Sequence, residues 1–434
     1  MKKGIVAILV ILALVVLISP GIVGKLAEKS VDEQLQWAAE ENQEVVITSE
    51  KFDRGWFSSE GQHRIELGDT GPGAHVREAL GLGPDEPTPA LIIDTRLDHG
   101  LIPVSSVTRA EGSLAPGLGR AASTVSIEFP GGEVSEIPGV IYSNVGLDGG
   151  LTSHYFLEPG GYGETSWGAA DIEVSADARK GHVVIDGGID SLTFIGEQQS
   201  TFTMGTAELS ADMTMTEYGY SVGDMAFAIG TVNIESPESN VAMGPINVDA
   251  NSMLDGDRVD TSMTMDFAMS GVPPIGDVAW SMDLVLNDLD AAAAGRLQRA
   301  IESAQGIDDP TQLLPMLEND LMDLVAAGAE LRFDKLNVTL PQGTLLTKFA
   351  FAFPETDRQS FTWSSVLLDL VASAEITVPE GLYELATAMN PQLNAAVAMG
   401  FLKKNGDVYE MAAEYKKGLL TVNGAPMPIP LPGS

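Results

Sequence analysis

The sequence predicts a mainly β protein with α insertions (α+β): an extended, curved antiparallel sheet behind one N-terminal transmembrane helix. Three observations predict it. Apolar and polar residues alternate with period two over most of the chain, Gly, Pro, Asn and Asp punctuate that alternation, and the chain starts with a long uncharged apolar run. Strands half-buried in an antiparallel sheet alternate in this way because successive side chains point to opposite faces.

The apolar run comes first in the chain. Lys2 and Lys3 precede Ile5–Ile18, which is apolar throughout, and from Gly4 to Val23 the stretch is twenty residues long. A bilayer core needs about that many residues in a helix. Residues 1–24 are therefore read as a membrane anchor. Ended at Ile18, the same run is a signal-peptide core with Ser19-Pro20-Gly21 as a small-x-small cleavage site, and that alternative stays open. Two lysines lie on each side of the span, so orientation rests on the N-terminal amine and on the lack of a second span, which favour an exported body. Residues 25–43 carry Leu26, Val31 and Leu35 near helical spacing with Trp37 on the apolar side, the pattern of a juxtamembrane helix. Its acidic polar face suits a stalk packed on the body better than a helix lying on the membrane.

Residues 44–434 form the β-rich body. Leu209, Ala211, Met213 and Met215 alternate with Ser210, Asp212, Thr214 and Thr216; Met263, Met265, Phe267 and Met269 alternate with Ser262, Thr264, Asp266 and Ala268; and Val278, Trp280, Met282, Leu284 and Leu286 repeat the pattern. Further strands are expected at Val45–Ser49, Gln62–Leu67, Ala90–Asp94, Ser123–Phe129 and Leu345–Phe353 among others. Tight turns are expected at Asp186-Gly187-Gly188, Asp255-Gly256-Asp257, Lys416-Lys417-Gly418 and Asn423-Gly424. Helical spacing replaces alternation within a 289–330 insertion, where Pro310 is placed to open a helix, and again at 379–402, where Asn390-Pro391 predicts a kink.

Composition narrows the function classes. The chain carries 61 Asp and Glu against 24 Lys and Arg, a net −37. Residues 1–30 hold four lysines against Glu28, so the remainder carries −40. Such a body repels nucleic-acid phosphates and anionic headgroups. There is no cysteine, which excludes disulfides, thiolate zinc sites, iron–sulfur clusters and cysteine nucleophiles. The excess acid reads as a solvated coat suited to high external salt, with a cation-binding surface as the rival reading.

Catalytic motifs do not assemble. Gly219-Tyr220-Ser221-Val222-Gly223 matches the nucleophile-elbow pattern, yet no histidine follows Ser221 and the next residues alternate like a strand, so it reads as a hairpin turn. Gly117-Leu118-Gly119-Arg120-Ala121-Ala122 fits a loose dinucleotide pattern without the strand before it or the helix after it, and reads as a loop. The five histidines never fall three or four apart, so no local zinc site is encoded. Asp255-Gly256-Asp257 with Asp260 lacks a full calcium-loop pattern and reads as a solvated turn. No cofactor and no metal are expected.

Two short motifs stand apart: Phe52-Asp53-Arg54-Gly55-Trp56-Phe57-Ser58-Ser59, and Leu97-Asp98-His99-Gly100-Leu101-Ile102-Pro103. With the N-terminal anchor and the closing Leu420-Thr421-Val422-Asn423-Gly424, they resemble the YdgA-like family of bacterial envelope proteins, a domain of unknown function, over the whole chain in order. The motif positions are Phe52, Arg54, Gly55, Phe57, Ser58, Asp98, His99 and Gly100; Leu101 stands where the family pattern carries proline. The resemblance implies an inner-membrane-anchored periplasmic protein and supplies no reaction. Asp98-His99 read as a base pair would give a hydrolase; read as a turn shaped by Gly100 and Pro103, the two residues bridge backbone.

The expectation is thus a non-enzymatic, single-pass protein of the bacterial inner membrane, anchored through residues 4–23, with its body in the periplasm. A sheet groove lined by Met213, Met215, Met263, Met265, Phe267 and Met269 would hold lipid or another apolar ligand, with a packed core as the plainer role for the same residues. The alternative is an assembly scaffold whose sheet edges pair with an envelope protein or a second copy. No nucleic-acid partner is expected.

Overall fold

The computed structural model describes residues 45–427 apart from 55–57, 68–87, 100–118, 130, 147, 163–164, 178, 196–199, 237–239, 273–274, 304–309, 359–361, 363–365 and 367. The anchor at 1–24, the juxtamembrane helix at 25–43, and Gly55, Trp56, Phe57 and Gly100 lie outside these residues. Among the described residues no helix is long and apolar enough to cross a membrane. The mainly β expectation holds: the described chain is antiparallel strand with a few helices. It divides into two compact units, residues 1–215 with 232–238, and residues 216–231 with 239–434.

The first unit contains β1 (Val45–Arg54), β2 (Ser58–Leu67), β3 (Ala90–His99), β4 (Gly119–Glu128), β5 (Val134–Val145), β6 (Leu151–Leu157), β7 (Gly160–Tyr162), β8 (Thr165–Trp167), β9 (Ala170–Asp177), β10 (His182–Ile189), β11 (Leu192–Ile195), β12 (Thr201–Met204) and β13 (Ala207–Met215); β14 (Ser221–Ile229) belongs to the second unit, and β15 (Val232–Glu235) returns to the first. Strands pair in the order β1-β2-β3-β4-β5-β6-β9-β10-β13, antiparallel throughout. Leu91, Val125, Ile127, Phe129, Ile137 and Ile141 form a core in which each is at most 9% exposed.

The turn expected at Asp186-Gly187-Gly188 is instead the middle of β10, paired on both sides with β9 and β13. Gly187 serves close approach: it sits at φ 146°, and a Cβ there would lie 2.2 Å from the Asp171 carbonyl oxygen. Gly119-Arg120-Ala121-Ala122, read as loop, opens β4, because pairing with β3 carries the strand back to Gly119.

The second unit is a meander. After β14 come β16 (Asn240–Asp255), β17 (Arg258–Val272), β18 (Gly276–Asp290), helices α1 (Ala291–Ser303) and α2 (Pro310–Ala326), β19 (Glu330–Leu340), β20 (Gly343–Ala352), β21 (Val371–Pro379), α3 (Glu380–Met389), α4 (Asn394–Ala398), β22 (Lys403–Asn405), β23 (Val408–Lys416), β24 (Leu419–Val422) and β25 (Ala425–Met427). Pairing runs β14-β16-β17-β18-β19-β20-β21-β23-β24-β25, with β22 on β23. Three expected turns form. Gly256 (φ 65°) turns β16 into β17, Lys417 and Gly418 (φ 53° and 74°) turn β23 into β24, and Asn423 and Gly424 (φ 51° and 78°) turn β24 into β25. In the last two, positive φ at both central residues is the hairpin geometry that matches strand twist. The helical insertion spans 291–326, with Pro310 at the first position of α2. Asp290 caps α1: its Oδ1 accepts the Ala293 N–H at 2.7 Å. Arg296 joins the two helices, bonding Asp320 at 2.7 Å and Asp323 at 2.6 Å. The second helical stretch breaks at Asn390-Pro391 as the proline requires.

Candidate functional site

Two places carry the residues singled out by sequence, one in each unit. In the first unit, strand pairing brings the two motifs to one corner of the sheet. Arg54 stands opposite Ser59, Ser58 opposite Asp98, Asp98 opposite Arg120, and His99 opposite Gly119. Phe52 pairs with Gly61 two positions further along. Strands β1, β2 and β3 are longer than their alternation suggested, so the described motif residues, Phe52–Arg54, Ser58, Ser59 and Leu97–His99, are strand residues.

Asp98 is 1% exposed, the most completely buried large side chain among the described residues. Its Oδ1 lies 3.9 Å from the Arg96 Nε, and Arg96 also lies 3.7 Å from Glu60. The turn expected at Asp98-His99 is therefore corrected: Asp98 is an interior strand residue. Consecutive strand positions also belong to opposite faces of a sheet, which does not suit a carboxylate orienting its neighbour's imidazole. No cluster of three metal-ligating side chains occurs among the described residues. Asp260, considered for calcium, instead accepts the Asp288 N–H at 2.9 Å.

In the second unit, register aligns apolar residues across the sheet. Phe227, Val248, Met265, Met282 and Leu336 form one row across β14 to β19. Met263, Leu284, Phe333, Phe349, Ala374, Ala413 and Val422 form the next, from β17 to β24. Ile246, Phe267, Trp280 and Val338 form a third, with the Phe267 and Trp280 rings 5.6 Å apart. Eight inter-strand steps of about 4.8 Å make this apolar face roughly 38 Å wide. Asn247, Asp249, Thr264, Asp266, Ser281 and Asp283 occupy the reverse face.

Most of that apolar face is neither sealed nor fully open. Met263, Met265, Phe267, Met269, Trp280, Phe333 and Phe349 are half-buried, and Met282 is the one buried member of its row. Helices close the two ends of the strands. At one end Ala291 of α1 packs with Tyr220, Val259, Leu254 and Leu289. At the other, α3 buries Leu382 and Tyr383, and Tyr383 stacks on Tyr409 of β23 at 4.0 Å. The Tyr220 hydroxyl is buried without a hydrogen-bond partner, and burial raises its pKa above the ordinary tyrosine value. The result is an apolar trough walled at both ends.

A family model described as a bacterial protein of unknown function, DUF945, matches residues 1–430. The chain belongs to that family. The YdgA-like resemblance agrees with it. No curated protein and no solved structure matches the chain. For this DUF945 protein the site must therefore be judged on its own geometry.

Four of the six expected groove residues, Met263, Met265, Phe267 and Met269, share the trough on β17. Met213 and Met215 are on β13 in the first unit, Met213 half-buried and Met215 49% exposed. The sequence reading missed the aromatic members Trp280, Phe333 and Phe349 as lining. Their alternation was visible, but the register that sets them beside Met263 and Phe267 was not.

Proposed function

We propose that this DUF945 protein is a non-enzymatic lipid-holding protein of the bacterial inner membrane, anchored by residues 4–23 with its body in the periplasm, and that the trough of the second unit receives acyl chains. One observation carries the reading. A sheet face of about nine strands presents Met, Phe, Trp, Leu and Ile in register while leaving most of them partly exposed. Soluble proteins rarely leave a contiguous apolar patch of this breadth uncovered, and such patches mark interaction sites or ligand grooves. The occupant is inferred to be lipid from the sequence: the apolar run Ile5–Ile18 holds the body beside a bilayer. Methionine suits the role because its flexible, polarisable thioether adapts to chains of differing shape. Charge agrees with an acyl ligand, since the carboxylates are confined to the reverse face in the strands described above.

The test is lipid extraction and mass spectrometry on the full chain purified in mild detergent, beside a Met265→Asp, Phe267→Asp variant. Lipid bound to the parent at fixed stoichiometry and lost from a variant that still melts cooperatively supports the reading. A parent that carries no lipid beyond the detergent micelle's share overturns it.

A further inference from the structure

The capped end of the trough carries an unusual outer surface. Residues 385–402 contain no Asp, Glu, Lys or Arg, in a chain that is 20% charged. Uncharged segments of that length usually lie inside, yet here Met389 is 80% exposed, Met399 62% and Leu393 38%. The segment is not loosely built. The Tyr383 hydroxyl donates to Asn394 Oδ1 at 3.1 Å, and Phe401 N–H reaches the Ala396 carbonyl at 2.8 Å. Asn423 Nδ2 donates to the Gly400 and Phe401 carbonyls at 2.9 and 3.1 Å, tying the tip to the sheet. Its backbone groups are thus largely satisfied internally, as an apolar surrounding requires. Lys403 and Lys404 follow directly and are exposed at its base, Lys403 Nζ donating to the Asn423 carbonyl at 3.1 Å and Lys404 paired with Glu380.

We propose that this tip, Met389, Leu393 and Met399, seats in the acyl layer of a membrane and sets the α3 end of the trough against the lipid. α3 buries Leu382 and Tyr383, the latter stacked on Tyr409 of β23, while the same short segment presents methionines outward. Lys403, exposed at the edge of the apolar tip and not ion-paired among the described residues, matches the phosphate level of a bilayer when the tip is inserted, whereas Lys404 is neutralised by Glu380. A second copy of the chain is a poorer occupant: three side chains fall well short of the roughly 800 Å² that each partner contributes to a stable protein interface. Membrane contact has no such threshold and grows with the apolar area inserted. Seating of the tip stands on its own geometry; delivery of lipid into the trough rests on the lipid-holding reading.

The absence of native cysteine allows unique labelling. Full-length Met389→Cys and Met399→Cys, each carrying an environment-sensitive fluorophore, are reconstituted into phosphatidylcholine vesicles with and without nitroxide-labelled lipid. Thr214→Cys, at an exposed position of β13, shares the anchor and serves as control. The expected result is blue-shifted emission and nitroxide quenching at 389 and 399 but not at 214. Emission at 389 and 399 indistinguishable from 214 overturns the inference, as does disulfide cross-linking between copies of the unlabelled Met389→Cys protein when the labelled protein shows no quenching. Bound lipid with an unshielded tip defeats this inference alone, whereas a shielded tip on a lipid-free chain defeats the lipid-holding reading and leaves the tip standing.

Discussion

Two regions, the β3–β5 core of the first unit and the β17–β20 face of the second, use the same alternating strands to different ends. In the first, Val125 and Ile127 are each 3% exposed, and Phe129 and Ile137 each 4%. In the second, Met263, Met265, Phe267 and Trp280 stand half-buried on an equally apolar face. Composition does not explain the difference, since both faces are built of large hydrophobes at period two. Packing does. Side chains at 3% exposure have lost nearly all their water and touch neighbours on every side, which is the condition for full transfer and dispersion energy. Partly exposed side chains collect only part of that energy. A sheet face that only needed to fold would gain by closing; this one keeps most of its large apolar side chains partly exposed.

The comparison is broken most directly by truncating one residue from each unit. Ile127→Ala removes atoms from the closed core and leaves a cavity, so a loss of about 2–5 kcal/mol is expected. Phe267→Ala in the trough is expected to cost clearly less than the about 3–5 kcal/mol typical of a buried phenylalanine, because no close-packed shell surrounds it. Urea titrations of both variants measure the two. Equal losses would mean the trough is a packed core in solution, and the lipid-holding reading would lose its basis.

Much of this was legible in the chain. Alternation is a local signal, so the strands, three of the hairpin turns and the helical insertions could be read directly. What could not be read was pairing. Strand ends extend wherever a neighbour offers hydrogen bonds, so β3 runs on through Asp98 and His99, which local punctuation had marked as a turn. Gly187 misled for the same reason: glycine in a strand and glycine in a turn look alike until a neighbouring backbone is seen pressing on it. The trough needed both pairing and exposure. Met263 and Met265 announced an apolar face, but nothing in the order of residues says that Trp280 and Phe333 lie in phase with them, or that the aligned side chains stay partly exposed. The two motifs illustrate the converse: some forty residues apart in sequence, they meet because Ser58 and Asp98 occupy facing positions.

The closed unit should also show an alkaline limb. Burial pushes the Tyr155 hydroxyl up to about 12 from an ordinary value of 10.0. A raised folded-state pKa means that the folded protein holds its proton where the unfolded chain has lost it. Stability is therefore unaffected below about pH 10 and falls as pH rises through 10 to 12, by up to about 3 kcal/mol for a shift near two units. Tyr155→Phe should flatten that part of the stability profile. A limb that persists unchanged in the variant would place its origin elsewhere.

The smallest effect concerns the wall of the trough and carries the opposite sign. Tyr220 is 8% exposed beneath α1, and its hydroxyl has no partner. A buried polar group without a partner costs on the order of 1–3 kcal/mol, most of which returns when the group is removed without changing shape. Tyr220→Phe keeps the ring against Val259 and Ala291 and deletes only the hydroxyl. The variant should therefore be more stable by about 1 kcal/mol, against the usual run of substitutions, which destabilise. The measurement also sharpens the comparison. If the hydroxyl reaches a bound lipid's polar head in the loaded protein, the gain appears only after delipidation and reverses when lipid is restored. A gain of equal size in both states makes Tyr220 a purely structural part of the end wall. A loss in both states would mean that the hydroxyl has a partner in solution and that α1 packs more tightly than this geometry allows.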